Sequence, residues 1–116
     1  MKLKPLLCSL GLFLWWCQSP LHAWQSEANE KYIVELRAKA DSGSADAENE
    51  LGLCLLNGER GVTPDKAEGV KWLRKAAAQN FAEAQYNLGD CYAGGQGVAK
   101  DEAEAVKWFP QSRRPE

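Results

Sequence analysis

The residues best suited to chemistry lie between Leu88 and Trp108, in the stretch LGDCYAGGQGVAKDEAEAVKW. A glycine cluster beside acidic side chains is typical of loops that bind phosphate or calcium, and a cysteine such as Cys91 can serve as a nucleophile. The spacing favours neither loop, because the G-x-x-x-x-G-K-[ST] arrangement and the alternating oxygen ligands of an EF-hand are both absent. The role of this stretch therefore depends on the elements that surround it.

The first 23 residues have the layout of an export signal. Lys2 and Lys4 give a positively charged start, the apolar run 6–16 follows, and Ala23 provides a small residue for cleavage. The run is shorter than the roughly 20 apolar residues that span a bilayer, so a retained transmembrane helix is the less favoured interpretation. We expect residues 1–23 to be a signal peptide and the mature chain to be exported, periplasmic or secreted, without membrane insertion.

Removal of this segment limits the reactions that the mature chain could catalyse. The only histidine, His22, lies within it, which excludes a Ser-His-Asp triad, a Cys-His pair and a histidine-ligated zinc site. Loss of Lys2 and Lys4 also takes the net charge from −2 to −4, and an acidic chain without a basic patch does not suit nucleic acid binding. We predict a protein that is not an enzyme and needs no cofactor or metal; a hydrolase using two carboxylates is a minor alternative.

The glycines and cysteines recur at a regular interval, which indicates an internal repeat. Residues 45–72 align with residues 82–108, with an offset of 37 positions before the glycine loop and 36 after it. The matched pairs include Leu51/Leu88, Gly52/Gly89, Cys54/Cys91, Gly58/Gly95, Gly61/Gly97, Asp65/Asp101 and Trp72/Trp108. A repeat of this period is typical of a helical solenoid.

Each copy is predicted to form two helices joined by a turn. Apolar residues follow the three-and-four spacing of one helical face from residue 47 and again from residue 84. Glycines that accept left-handed backbone angles are predicted to end these first helices; they are Gly58, Gly61, Gly95 and Gly97. Asp65 and Asp101 are predicted to cap the second helices, with Glu68 and Glu104 completing a capping box.

Three further sets of residues are assigned to packing. Residues 24–44 are predicted to form an N-terminal capping helix, because Leu36 and Ala40 match Leu73 and Ala77 of the first copy. Glycine inside a helix costs about 1 kcal/mol relative to alanine. We therefore expect Gly52 and its equivalent in the second copy to admit a neighbouring helix, with the second helix, which contains the alanine-rich segment 74–79, as the partner.

The paired cysteines and tryptophans are also predicted to be structural. Equivalent helices in such a stack lie about 8–10 Å apart, whereas the Cα atoms of bridged cysteines lie within about 7 Å. Buried free thiols at Cys54 and Cys91 are thus favoured. A disulfide between them is the alternative, because exported proteins can form disulfides. Trp72 and Trp108 occupy equivalent helix positions, which favours packing over ligand stacking.

The second copy resembles the Sel-one-like repeat (SLR) family, a relative of the tetratricopeptide repeat. The family pattern A-x-A-x-x-x-L-G-x-x-Y-x-x-G-x-G-V-x-x-D-x-x-x-A-x-x-W is carried by Ala82, Ala84, Leu88, Gly89, Tyr92, Gly95, Gly97, Val98, Asp101, Ala105 and Trp108. The first copy departs from it at Leu55 and Gly69 and by one extra loop residue. The resemblance, over residues 33–109, implies an all-α fold, a short right-handed α/α solenoid of helix-turn-helix repeats used for protein–protein contact, with no catalytic residues.

These observations define two repeats and a candidate surface. Repeat 1 is predicted over residues 45–81 and repeat 2 over residues 82–109, with Pro110 cutting the last helix to about two turns and leaving 110–116 as an irregular tail. We predict that an unidentified protein partner binds the inner face, meaning the side of the first helices opposite their core. Its predicted contact residues are Asn49, Leu53, Tyr86 and Asp90. The alternative is a truncated, non-functional remnant of a longer repeat protein.

Overall fold

The computed structural model describes residues 24–112, with side chains to residue 109, and this range is entirely helical and turn. The predicted signal peptide therefore lies outside the described residues, as does the end of the tail. The helices are α1 (residues 24–41), α2 (Ala45–Asn57), α3 (Lys66–Ala78), α4 (Ala82–Gly94) and α5 (Glu102–Ser112), with a 3-10 turn at Glu59–Gly61. The all-α prediction of two helix pairs preceded by one helix is confirmed.

The apolar side chains form two layers between successive helices. The N-terminal layer joins α1, α2 and α3 and contains Leu36, Ala40, Ala47, Leu51, Cys54, Leu55 and Trp72. The C-terminal layer joins α2, α3 and α4 and contains Leu56, Val70, Leu73, Ala76, Ala77, Ala84, Leu88 and Cys91. The helix α1 contributes Leu36 and Ala40 to its layer in the way that α3 contributes Leu73 and Ala77, and its role as the cap of the array stays a prediction.

The turns within the two repeats follow one plan. The glycines that end α2 and α4, Gly58 and Gly95, have φ angles of +70° and +66°, as predicted. The carboxylate of Asp65 accepts a hydrogen bond from the Glu68 amide at 3.1 Å, and Asp101 accepts one from Glu104 at 3.0 Å. Both N-caps are therefore confirmed.

The reciprocal half of the predicted capping box is wrong. The backbone amide of Asp65 donates to the carbonyl of Leu55 at 2.9 Å, and that of Asp101 donates to the carbonyl of Tyr92 at the same distance. Each amide is thus satisfied by the preceding helix. The Glu68 carboxylate instead accepts from the indole N–H of Trp72 at 3.2 Å.

Gly52 admits the second helix of its repeat, as predicted, but the contact lies at Gly69 rather than in the alanine-rich segment of that helix. A Cβ atom on Gly52 would lie 2.9 Å from the carbonyl oxygen of Gly69, and one on Gly69 would lie 2.7 Å from that of Gly52. The backbones of α2 and α3 therefore approach each other at a glycine pair, upstream of the alanine-rich segment. In repeat 2 the space beside Gly89 is filled by the ring of Phe109, 2.8 Å from the position of a Cβ.

The last helix is longer than predicted. It continues through Pro110 to Ser112, so the tail assignment is wrong for residues 110–112. A proline at position 110 removes the amide that would pair with the carbonyl of Val106, and a proline ring also crowds the carbonyl four residues before it. Val106 lies on the exposed side of α5, where water can satisfy that carbonyl. The helix has 11 residues within the described range, against 13 in α2, α3 and α4, and the predicted truncation of repeat 2 stays a prediction.

Candidate interaction surface

The four residues predicted for the inner face occupy two pairs of equivalent repeat positions, and the two members of each pair differ in exposure. Asn49 corresponds to Tyr86, and Leu53 corresponds to Asp90. Asn49 is only 3% exposed, and its side-chain oxygen accepts a hydrogen bond from the amide of Asn87 at 3.0 Å. The expected exposure of Asn49 is therefore wrong, because α4 of the next repeat covers it.

Tyr86 lies at the equivalent position in repeat 2 and is 46% exposed. One side of its ring rests on Phe109, with the ring centroids 5.5 Å apart and the planes inclined by 53°. Within residues 24–112 no following helix covers the rest of the ring. Tyr86 is thus available for contact in the described structure, as predicted.

Leu53 and Asp90 border a cleft between α2 and α4. Leu53 is half-buried against the C-terminal layer, whereas Asp90 is exposed. The cleft has a volume of about 200 Å³, and three amide side chains complete its rim: Asn57, Asn87 and Gln96. The buried residues Leu56 and Cys91 also line it. We call this feature, whose rim is Leu53, Asn57, Asn87, Asp90 and Gln96, the amide cleft.

Sequence reasoning missed the three amides because none of them belongs to the repeated pattern. Asn57 corresponds to Gly94 in the second copy, and Asn87 corresponds to Glu50 in the first. Gln96 lies in the loop whose length differs between the copies. The one signal that could have found them was the enrichment of amides on α2 and α4, at Asn49, Asn57 and Asn87.

A second exposed area lies where repeat 2 ends. Val70, in α3, is 1% exposed, while its equivalent Val106, in α5, is 62% exposed. Phe109 is only half-buried, although its equivalent Leu73 is fully buried. We call the area formed by Tyr86, Val106 and Phe109 the terminal face.

The two thiols are poor candidates for chemistry. Cys54 and Cys91 are both free and buried, which confirms the prediction. Burial raises the pKa of each thiol above its ordinary value. Glu59 and Glu50 raise the pKa of Cys54 further, and Asp90 does the same for Cys91. Both thiols therefore stay protonated, and a protonated thiol is a weak nucleophile.

The paired tryptophans pack as predicted but differ in their hydrogen bonds. Trp72 lies in the N-terminal layer, with the ammonium of Lys75 4.3 Å from its ring centroid. Trp108 packs on the C-terminal layer, and its buried indole N–H has no partner among the described residues. The equivalent of Glu68, Glu104, accepts a hydrogen bond from Lys107 at 3.3 Å.

Residues 24–112 contain neither a metal-binding cluster nor a membrane-spanning helix. Nowhere in that range do three or more histidine, cysteine, aspartate or glutamate side chains converge as they would around a metal ion. None of the helices there combines the length and apolar character needed to cross a bilayer.

Comparison with known proteins gives a family match and several structural matches. The Sel1 repeat model matches residues 45–81 and 82–111. No curated protein matches. One similar solved structure is a protective antigen of uropathogenic Escherichia coli with an SLR fold; identity is 36%, the TM-score is 0.67, and 69% of this chain and 17% of that one are covered.

Two further structures show the same arrangement. A Sel1 repeat protein from Oxalobacter formigenes is 36% identical with a TM-score of 0.63, covering 66% of this chain and 58% of that one. Cysteine rich protein B of Helicobacter pylori is 28% identical with a TM-score of 0.67, covering 72% and 62%. The chain thus spans less than two thirds of each of these three proteins.

Proposed function

Because the chain belongs to the Sel1 repeat family, we propose that it is an exported module that binds a segment of a partner protein in the amide cleft and has no catalysis of its own. Sel1 repeats generally mediate protein–protein interaction. The observation that carries the proposal is the composition of the cleft. Its rim combines three amide side chains, one exposed carboxylate and one half-buried leucine, and the buried Leu56 and Cys91 also line it.

The amides suit a polypeptide backbone. Each asparagine or glutamine side chain offers both donors and an acceptor, so Asn57, Asn87 and Gln96 can pair with the N–H and C=O groups of an extended segment. The bond between Asn87 and Asn49 fixes the Asn87 side chain in place before any partner arrives. A fixed side chain loses less conformational entropy on binding.

The remaining two residues define which segment fits. Asp90 is exposed, so it can pair with a basic side chain of the partner. Leu53 provides apolar surface for an adjacent aliphatic group. Tyr86 lies one helical turn from Asp90 on α4, which places a large ring beside the cleft. The partner is therefore a segment that carries a lysine or arginine next to an apolar residue.

The test is capture of partners by matched variants. Asp90→Lys reverses the charge at the cleft, and Glu102→Lys makes the same change at an exposed residue of α5 outside it. We expect the wild type and Glu102→Lys to retain the same protein from an envelope extract, and Asp90→Lys and Leu53→Asp to lose it. Retention of that protein by all four forms would contradict the assignment to the amide cleft.

Export is the second part of the proposal. Its support is the positively charged start and the short apolar run of residues 1–23. Mass spectrometry of the protein purified from producing cells tests it directly. We expect the mature chain to begin at Trp24 and to be recovered from the envelope or the medium; a cytoplasmic chain that begins at Met1 would contradict this.

A further inference from the structure

We propose that a cavity between α1 and the turn of repeat 1 binds a small zwitterion of about dipeptide size, with the ligand's carboxylate on Arg60 and its ammonium on Glu30. The cavity has a volume of about 430 Å³ and is lined by residues of α1 and of the turn between α2 and α3, away from repeat 2. Sites for small ligands usually measure about 300–1,000 Å³. The inference goes beyond the proposed function, because none of the cavity's residues belongs to the amide cleft.

Arg60 is held in an unusual conformation at the edge of this cavity. It belongs to the loop that is one residue longer than its counterpart in repeat 2, and its φ angle is +54° although it carries a Cβ. A left-handed backbone at a residue other than glycine costs free energy and tends to occur at functional sites. The extra residue therefore directs a guanidinium to a defined place.

The guanidinium of Arg60 stacks on an aromatic ring, and its N–H groups are available to a ligand. Its central carbon lies 4.2 Å from the centroid of the Tyr32 ring. The hydroxyl of Tyr32 donates in turn to the carboxylate of Glu50 in α2, which fixes the ring. Within the described part of the chain the N–H groups of Arg60 have no hydrogen bond or ion pair. A stacked guanidinium with free N–H groups is suited to bidentate binding of a carboxylate.

The other lining residues indicate a ligand with both charges. Glu30 lines the same cavity but forms no ion pair with Arg60 or with any other described cation. Gln25 and Asn29 add amides that can bind a peptide group, and Ile33 and Val62 add apolar surface for small side chains. Since Arg60 and Glu30 share the cavity without pairing with each other, a zwitterion can match both, with its carboxylate on Arg60 and its ammonium on Glu30.

The experiment measures dipeptide binding by calorimetry. It uses the protein as purified from producing cells, without further truncation. The probes are alanyl-alanine, N-acetyl-alanyl-alanine, which lacks the ammonium, and alanyl-alanine amide, which lacks the carboxylate. We expect alanyl-alanine to bind and each blocked probe to bind at least about tenfold more weakly, because each loses the charge-assisted hydrogen bonding of one charged end. Failure of alanyl-alanine to bind would overturn the proposal.

Variants assign the two charges. Arg60→Gly keeps the backbone, since glycine accepts a φ of +54° without penalty, and it should bind alanyl-alanine and its amide equally weakly. Glu30→Gln should bind alanyl-alanine and its N-acetyl form equally. Arg74→Ala is the matched control, because Arg74 also lies over a tyrosine ring, that of Tyr92, outside this cavity. Unchanged dipeptide affinity in Arg60→Gly, or an equal loss in Arg74→Ala, would overturn the assignment.

The same assay separates this inference from the proposed function. Asp90→Lys, which alters the amide cleft, should leave dipeptide affinity unchanged. If dipeptide binding fails while partner capture still depends on Asp90, only the cavity proposal falls. If capture is insensitive to Asp90 while alanyl-alanine binds, only the amide cleft proposal falls.

Discussion

Repeat 1 and repeat 2 are built on one sequence pattern but have different surroundings. Repeat 1 is covered by α1 on one side and by α4 on the other, so that Asn49 and Val70 are buried. Their equivalents Tyr86 and Val106 are exposed in the described structure. Burial in this fold is therefore set by the position of a repeat in the stack as much as by the residue at each site.

The two repeats also differ in how their own helices meet. In repeat 1, α2 and α3 approach through the backbones of Gly52 and Gly69, so the nearest neighbour of each glycine is a carbonyl oxygen of the facing helix rather than a side chain. In repeat 2, Ala105 stands in the place of Gly69 and the ring of Phe109 lies against Gly89. A backbone contact is less adaptable than a ring contact. We infer that repeat 1 is the less tolerant of substitution.

The comparison predicts its largest effect at the equivalent pair Leu73 and Phe109. Leu73→Ala should lower the free energy of unfolding by about 3 kcal/mol, because it empties a fully buried site in the C-terminal layer. Phe109→Ala should cost about 1 kcal/mol, because its ring is half-exposed. Urea unfolding followed by circular dichroism measures both. Equal losses would mean that the terminal face is covered in solution.

A smaller effect is expected at the paired helix glycines. Gly52→Ala should cost about 2 kcal/mol, because the steric cost against the Gly69 carbonyl exceeds the gain of about 1 kcal/mol in helix propensity. Gly89→Ala should be close to neutral, because the ring of Phe109 can turn aside. The same unfolding measurement applies. A greater loss from Gly89→Ala than from Gly52→Ala would reverse the stated order of tolerance.

The smallest difference is expected in the reactivity of the two thiols, although Cys91 lies in repeat 2, which carries the terminal face. Cys91 is only 3% exposed within the C-terminal layer, and it lines the amide cleft rather than the terminal face. Both thiols should therefore react slowly and at similar rates with iodoacetamide at about pH 8, and both should react once the chain is unfolded without reductant. Fast labelling of Cys91 alone would show that the end of the stack opens.

The pKa shifts of these thiols also give a direction for the pH dependence of stability. Their pKa values are raised above the ordinary 9.0 in the folded state. The folded chain thus keeps the thiol protons at pH values where the unfolded chain has released them. This contribution to the free energy of unfolding is intact below about pH 9 and is lost as the pH rises toward the raised pKa. Cys54→Ala/Cys91→Ala should show a weaker dependence in that range.

The sequence was sufficient for features that depend on neighbours along the chain. The glycine turns at Gly58 and Gly95, the N-caps Asp65 and Asp101, and the helix α1 all follow from local pattern and repetition. These signals are enough to place the two pairs of helices along the chain. The prediction that Pro110 ends the last helix was wrong. The cost of a proline in a helix depends on whether the carbonyl that loses its hydrogen bond can bind water instead.

The candidate surface was only partly predictable, because it depends on what packs from a distance. A helical wheel assigns Asn49 to the side opposite its own core, yet that side is covered by α4. The wheel likewise gives no sign that Gly69, rather than the alanine-rich segment, meets Gly52. The role of Asn57 and Gln96 in the amide cleft arises from the spacing of α2 and α4, which the pattern of a single repeat does not specify.

The backbone bonds from Asp65 to Leu55 and from Asp101 to Tyr92 have a consequence for protein engineering. They close two loops of different length onto the same point of the preceding helix, and the loop of repeat 1 accommodates Arg60 as its additional residue. The helices are thus anchored to each other independently of the chain that joins them. The tip of this loop is accordingly a place where a foreign peptide could be grafted while the solenoid keeps its geometry.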